Sequence, residues 1–366
     1  MKRRSRLVIA VLAVLGLGLV LRAPLPYFVE QPGTLIGLAP RVQISGYDDK
    51  LNGEVMFGTV NVRTATLWSA IGAGFDPHAQ VIRRERLIPQ GQGSAAFFAQ
   101  QRAEFTLSSH LAAAVGMRAA GLPVDPDVLH GEGALVLRVQ PGGPAEGRLQ
   151  AGDVILRLNQ QRVHTEPEFT TALTQAQWDP LTFTVQRDTR RLTVHVAPAA
   201  DRTGQPSIGV FVSTFRPRVA LPAPIQVDVD RVGGPSAGLA IALTVFDVVA
   251  SEDLVAGRTI VVTGSIDPDG TVGPIGGVAL KAVAAARAGV DRLLVPMAQL
   301  AEARDAAGPD LPIVGVRTFD DAVAALRAKT RRHAAARALS VGKPSLPPTP
   351  DSRSHSLPIL GVVRRG

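Results

Sequence analysis

Residues 233–243 read GGPSAGLAIAL, and TVFDVVA continues the run to Ala250. Two glycines and a proline turn the chain, a serine follows, and the apolar stretch behind it is too continuous for a surface helix. The pattern predicts a buried helix from Ser236 to about Ala250. It also contains G-x-S-x-G, which can hold a nucleophilic serine on a sharp turn at a helix start. A plain structural role competes with that reading, because a hydroxyl at a helix start satisfies a free amide and proline suits the first turn. Catalysis would need a base for the Ser236 hydroxyl.

Histidine is the first candidate for that base. In a hydrolase elbow the chain order is Ser, then an acid, then His, yet the first His after Ser236 is His333, in a basic tail. His195 and the other upstream histidines fall in a different part of the chain, so an esterase-like triad is disfavoured but stays open. Cysteine is absent, which removes thiol catalysis, zinc-thiolate sites and disulfides. The seven His are scattered singly, so neither a metal nor a cofactor is expected.

Lysine remains. Of 39 Lys and Arg residues only five are Lys, namely Lys2, Lys50, Lys281, Lys329 and Lys343. Lys281 alone sits inside an apolar helix, VALKAVAAARAGV, which Gly289 ends; Val278, Ala285 and Ala288 share its face. An amine buried there loses solvation and its pKa falls, so it can be neutral near physiological pH, which an arginine cannot. The alternative is a stem that snorkels past the helix edge to water.

Around these two residues the chain from 201 to 330 reads as an α/β domain. TIVVTGSI and TVGPI form a hairpin over the turn DPDG, DRLLVP and LPIVGV are strands, and Thr318 with Asp321 opens a last helix as a capping box. Upstream, residues 119–200 change texture: GALVLRVQ, a turn PGGPAEGR, AGDVILRLNQQRV, a helix EPEFTTALTQA, and a hairpin of LTFTVQR with RLTVHVAP. That order, and the phrase PGGPAEGRLQAGDVILRLNQQRV, resembles a PDZ domain of the bacterial protease type. PDZ domains add an extended peptide to a sheet edge, and the resemblance places the carboxylate loop near Gly121, Leu122 and Pro123. A packing domain without a ligand is the competing reading.

Residues 30–118 read as short strands, with GEVMFGTVNVRTATLW alternating well, then a joint PQGQGS and an Ala-rich helical stretch from Ala95 to Ala120. Before them, MKRRSR precedes fifteen uncharged residues from Leu7 to Leu21, then Arg22 and APLPYFV. Counting to Val29 gives 23 residues, long enough to span a bilayer if Arg22 snorkels. The expectation is a single-pass anchor over 1–29, chosen over a cleaved signal peptide because Leu21 fits poorly two positions before a cut at Ala23. The basic start stays inside and the rest faces out of the cytoplasm. The net charge of +8 is concentrated at the two ends and aromatics are only 4%, so no nucleic-acid surface is expected. Residues 331–366, rich in Arg, Pro and Ser, read as a disordered tail.

Taken together, GGPSAGLAIAL and TGSIDPDGTVGPIGGVALKAVAAARAGV (residues 263–290) resemble the proteolytic domain of the Lon family over about residues 205–328. In that family the Ser of G-P-S-A-G and the Lys after P-I-G-G form a catalytic dyad, here Ser236 and Lys281, 45 residues apart. The resemblance implies a serine endopeptidase acting on protein or peptide substrates, with Thr263 orienting the lysine and Gly234 supporting the nucleophile turn. It also implies homo-oligomeric rings as an option. Gly233 stands where the ATP-dependent relatives usually carry an acid. Those relatives also carry a nucleotide-hydrolysing module, and no G-x-x-x-x-G-K-[ST] occurs in these residues. The whole chain resembles the membrane-tethered PDZ and Lon-domain proteases of bacteria, a multidomain α+β and α/β architecture. An inactive peptide-binding scaffold is the alternative.

Overall fold

The computed structural model describes residues 12, 15–16, 18–47, 52–88, 93–201, 204–230 and 232–328. The tail expected over 331–366, the basic start and most of the apolar run up to residue 17 lie outside them.

The chain begins its folded course with two long strands, β1 (Pro24–Gly37) and β2 (Glu54–Thr66), paired antiparallel. A short helix α1 (Leu67–Ala73) and an edge strand β3 (Gln80–Arg83) follow. The expected span to Val29 is therefore corrected at its outer end. Pro24–Val29 belongs to β1, with Phe28 and Val29 buried in the protein, and Gly18–Arg22 is helical up to that point. The prolines at 24 and 26 give up amides that a helix would need and a strand start does not. Among the described residues no helix is long and apolar enough to cross a membrane.

Helix α2 (Ser94–Ala119) is a single element of 26 residues. The PDZ region then contributes strands β4 (Ala134–Val139) and β5 (Val154–Leu158), helix α3 (Glu166–Ala176), and strands β6 (Leu181–Arg187), β7 (Arg190–Val196) and β8 (Val210–Thr214). Its sheet has the order β7-β6-β5-β4-β8. Alternate side chains, among them Val136, Ile155, Phe183 and Val185, fill a core beneath α3, where Phe169 and Ala172 meet them. The buried Asp153 carboxylate ties this core to the end of β6 through a two-pronged contact with Arg187 at 2.7 and 2.8 Å.

Beyond it come α4 (Gly238–Ala250), β9 (Thr259–Val262), α5 (Val278–Ala288), β10 (Arg292–Pro296), α6 (Leu300–Ala307), β11 (Ile313–Val316) and α7 (Phe319–Arg327). The capping residues read from the sequence are in place, with the Asp321 amide donating to Thr318 Oγ1 at 3.1 Å.

These late strands do not form a sheet alone. The central sheet runs β11-β10-β9-β2-β1-β3, and β9 pairs parallel to both β10 and β2, with Thr259 opposite Glu54 and Val261 opposite Met56. Side chains alternate between two layers: Val55, Phe57, Ile260 and Val262 pack with α2 and α4, while Met56, Val261, Leu293 and Val295 pack with α5. Residues 30–118, read from the sequence only as an N-terminal region, share one α/β/α body with the late strands and helices. The PDZ sheet is inserted into that body.

Candidate active site

The apolar run Leu239–Val248 makes α4 buried on every side, which fixes its start rigidly in the body. Its first turn is held by β9's continuation: the Leu239 amide donates to Gly264 O, and the Gly264 amide donates to Ser236 O, both at 3.0 Å. Ala237 is the residue that caps the helix, and no side chain caps it. Ser236 therefore does not serve the helix end, which removes the plain structural role for its hydroxyl.

That hydroxyl meets an amine instead. Lys281, in the second turn of α5, places Nζ 2.7 Å from Ser236 Oγ and 3.4 Å from Thr263 Oγ1. Thr263 is the first residue past β9, and its hydroxyl donates to Ser236 O at 3.2 Å. The three residues meet outside the carboxyl end of a parallel strand, where α/β folds habitually build sites. α4 and α5 cover opposite faces of the sheet, so the lysine stem has to pass β2 to reach the serine. It does so over Gly58, where an added Cβ would lie 3.2 Å from the Lys281 Cβ.

Only 3% of Lys281 is exposed, and Thr263 is fully buried. Burial drives the amine from its ordinary 10.5 down to about 8, with no carboxylate opposing the fall. Of its expected neighbours on α5, Val278 and Ala285 are buried, whereas Ala288 is exposed at the helix end. No histidine reaches Ser236 among the described residues: the His195 ring pairs with Thr182 inside the PDZ sheet. Among the described residues no three metal-ligating side chains share a site.

The turn before Ser236 is shaped by α2. Gly234 has a φ of +80° and its amide donates to Gln101 O at 2.8 Å. An added Cβ at Gly233 would lie 2.7 Å from the Gln101 Cβ. An acid at 233 has no room here, which accounts for the departure noted in the sequence. Of the amides from Gly234 to Leu239, those of Gly234, Gly238 and Leu239 are bonded to Gln101, Pro235 and Gly264 carbonyls. Among the described residues the Ser236 and Ala237 amides make no bond to a backbone carbonyl. Gly234 thus supports the turn by its conformation, and its amide is taken.

Gly121, Leu122 and Pro123 are not where the sequence reading put them. Gly121 has a φ of +88° and ends α2, the Leu122 amide donates back to Met117 O at 3.0 Å, and Leu122 packs on the body's core. That is a helix stop of the glycine type, with no part in the PDZ sheet. Among the described residues the PDZ sheet has two edge strands, β7 and β8, and β8 is bonded to β4 on one side and to no strand on the other. Strand β8 lies beside α3, whose first amide, that of Glu166, donates to Thr214 Oγ1 at 3.0 Å. Sequence reasoning missed β8 because it follows the hairpin that was read as the end of the domain. The alternation in IGVFVST was the available signal.

Two family models match the chain. The Lon protease (S16) C-terminal proteolytic domain matches residues 225–327, and the PDZ domain matches residues 105–197. Lon protease 2 of Bacillus subtilis (strain 168) is 32% identical over 116 residues, 31% of this chain and 19% of that protein. The chain therefore spans about a fifth of the length of the curated relative it matches. Solved structures similar to it include the PDZ domain of an SdrC-like protein from Listeria innocua, 27% identical, covering 22% of this chain and 92% of that one, with a TM-score of 0.21. Its counterpart from Listeria monocytogenes is 23% identical, covering 22% and 87%, with the same TM-score of 0.21. Scores this low carry no argument, and the PDZ assignment stands on the family model. The chain joins a PDZ domain to a Lon protease (S16) C-terminal proteolytic domain, and is a distant homologue of Lon protease 2.

Proposed function

We propose that this chain is an ATP-independent serine endopeptidase, tethered to a membrane by its apolar first segment, with the catalytic body outside the cytoplasm. The observation that carries the catalytic reading is the 2.7 Å contact between a buried amine and the Ser236 hydroxyl. Neutral Lys281 takes the hydroxyl proton as Oγ attacks a peptide carbonyl, and the tetrahedral oxyanion is met by the Ser236 and Ala237 amides at the start of α4. The resulting ammonium gives its proton to the leaving amine. Lys281, neutral again, then activates the water that opens the acyl-enzyme. Thr263 holds the amine by its hydroxyl and the turn by the bond to Ser236 O.

Independence from ATP is part of this proposal, and its test is cleavage with no nucleotide added. The tether is supported by Leu7–Leu21 and by the exposure of Leu12, Leu15, Leu19 and Val20, 58 to 76% open where a soluble helix would hide such residues. Substrate selection falls to the open edge of β8, to which an extended peptide can add as a strand beside α3.

Purified full-length protein, Ser236→Ala and Lys281→Ala are to be compared on an unfolded protein substrate. Loss of cleavage in both variants supports the dyad. Equal cleavage by all three refutes it, and cleavage by Lys281→Ala alone points to another base. No cleavage by the parent on any unfolded substrate favours the scaffold reading.

A further inference from the structure

One end of the central sheet carries a cluster of apolar side chains that nothing in the body covers. On α1 and just after it, Trp68, Ile71 and Phe75 are 68, 49 and 86% exposed, with Leu67 beside them and Val81 open on the neighbouring edge strand. The helix is not loosely attached. Ala73 packs on Val29 and Ala65, and Thr66 with Ser69 forms a capping box that fixes its start. The outward face is therefore apolar by construction, and its twelve residues from Thr64 to Phe75 contain no charge.

The strand register says what lies next to it. Pro24, the first residue of β1, is paired with Thr66, the residue that begins α1. Antiparallel partners stand about 5 Å apart, so the apolar first segment of the chain leaves the body at the very place where α1 starts. Exposed Arg22, Arg63 and Arg83 surround this end, and Asp76 is the one acid between residues 64 and 84. An apolar patch with a tryptophan and a rim of arginines has the chemistry of the zone between acyl chains and anionic headgroups.

We propose that α1 and Phe75 form a foot that rests in the outer interface of the bilayer holding residues 7–21, so that the body is seated on the membrane at a fixed attitude. This rests on the tether reading above. The occupant is lipid, and a second copy of the chain is the rival occupant that the test must separate.

The two tryptophans of the chain make the test direct, since Trp178 lies in the PDZ region and is 52% exposed. Full-length Trp178→Phe and Trp68→Phe proteins are reconstituted into vesicles of phosphatidylcholine and phosphatidylglycerol, with and without bromines on the upper acyl chain. Flotation is measured on the same samples. The foot requires that Trp68 emission shift to the blue and be lost in brominated vesicles, while Trp178 emission is unchanged. Protein that floats with Trp68 red-shifted and unquenched refutes the foot and leaves the tether standing. Protein that floats with Trp68 blue-shifted yet unquenched also refutes it, in favour of contact between copies. Protein that does not float refutes both.

Discussion

Replacing Lys281 with methionine separates what the amine does for catalysis from what it does to stability. Its pKa falls from 10.5 in an open chain to about 8 in the folded protein because burial disfavours the cation. A difference of that size corresponds to about 3 kcal/mol. The sign follows from proton counting. Above pH 10.5 both states hold a neutral amine and nothing is lost; between 10.5 and 8 the unfolded chain binds a proton that the folded one refuses, so stability drops as pH falls; below 8 both are protonated and the folded protein carries the full burden. Methionine has a similar reach and no charge, so the Lys281→Met protein escapes that burden, less about 1 kcal/mol for each hydrogen bond to Ser236 and Thr263 that it gives up. The expected result is a variant that is inactive yet at least as stable as the parent at pH 7. Their stability difference, from urea unfolding followed by circular dichroism, shifts by about 3 kcal/mol in the parent's favour between pH 8 and pH 10.5. The parent's kcat/KM rises with pH toward a midpoint near 8. A stability difference that stays flat with pH would show that the amine is not buried as described, and would sink the argument for a neutral base.

Three further changes test the geometry around the dyad. Thr263→Val keeps the shape and removes the hydroxyl shared by the Ser236 carbonyl and the lysine; kcat should fall about tenfold with KM little changed, at about 1 kcal/mol in stability. Gly58→Ala sets a methyl 3.2 Å from the Lys281 Cβ; because a small misplacement of a catalytic group is severe, activity should fall far more than thermal stability, and equal losses in both would refute the account. Asp153→Ala leaves Arg187 without its buried partner and the Gln150 amide without its acceptor; unfolding of the PDZ region should become easier by about 3 kcal/mol, read by hydrogen exchange in Val154–Leu158.

Ser236 and Lys281 could be singled out as candidates because each stands out from the sequence around it. Ser236 lies in a G-x-S-x-G turn ahead of a long apolar run, and Lys281 sits in an apolar helix of a chain that mostly uses arginine. Their meeting across the sheet was not legible from either segment, and rested on family likeness until the distance was seen. The strand at 54–66 was readable from alternation and that at 259–262 from the apolar run TIVV ahead of the DPDG turn, but neither pattern names a partner, so their pairing was invisible and residues 30–118 could be placed only as an N-terminal region. The same gap misplaced the PDZ edge. Gly121 carries the signature of a loop and of a helix stop alike, and the strand that closes the PDZ sheet arrives only at Val210. Gly233 was flagged as an anomaly, and the close approach of Gln101 explains it by contact that no local pattern records.

The pairing of Thr259 with Glu54 has a consequence for how the protein comes into being. A ribosome or translocon delivers the chain from its amino end, so β1 and β2 emerge about two hundred residues before the strand that completes their sheet. In the interval the PDZ region, whose contacts are mostly with itself, can fold alone, while the early strands wait with one edge unsatisfied. Ser236, β9 and Lys281 all follow the PDZ region in order of synthesis. The contact between Ser236 and Lys281 therefore forms only after both the early strands and the PDZ region have been made.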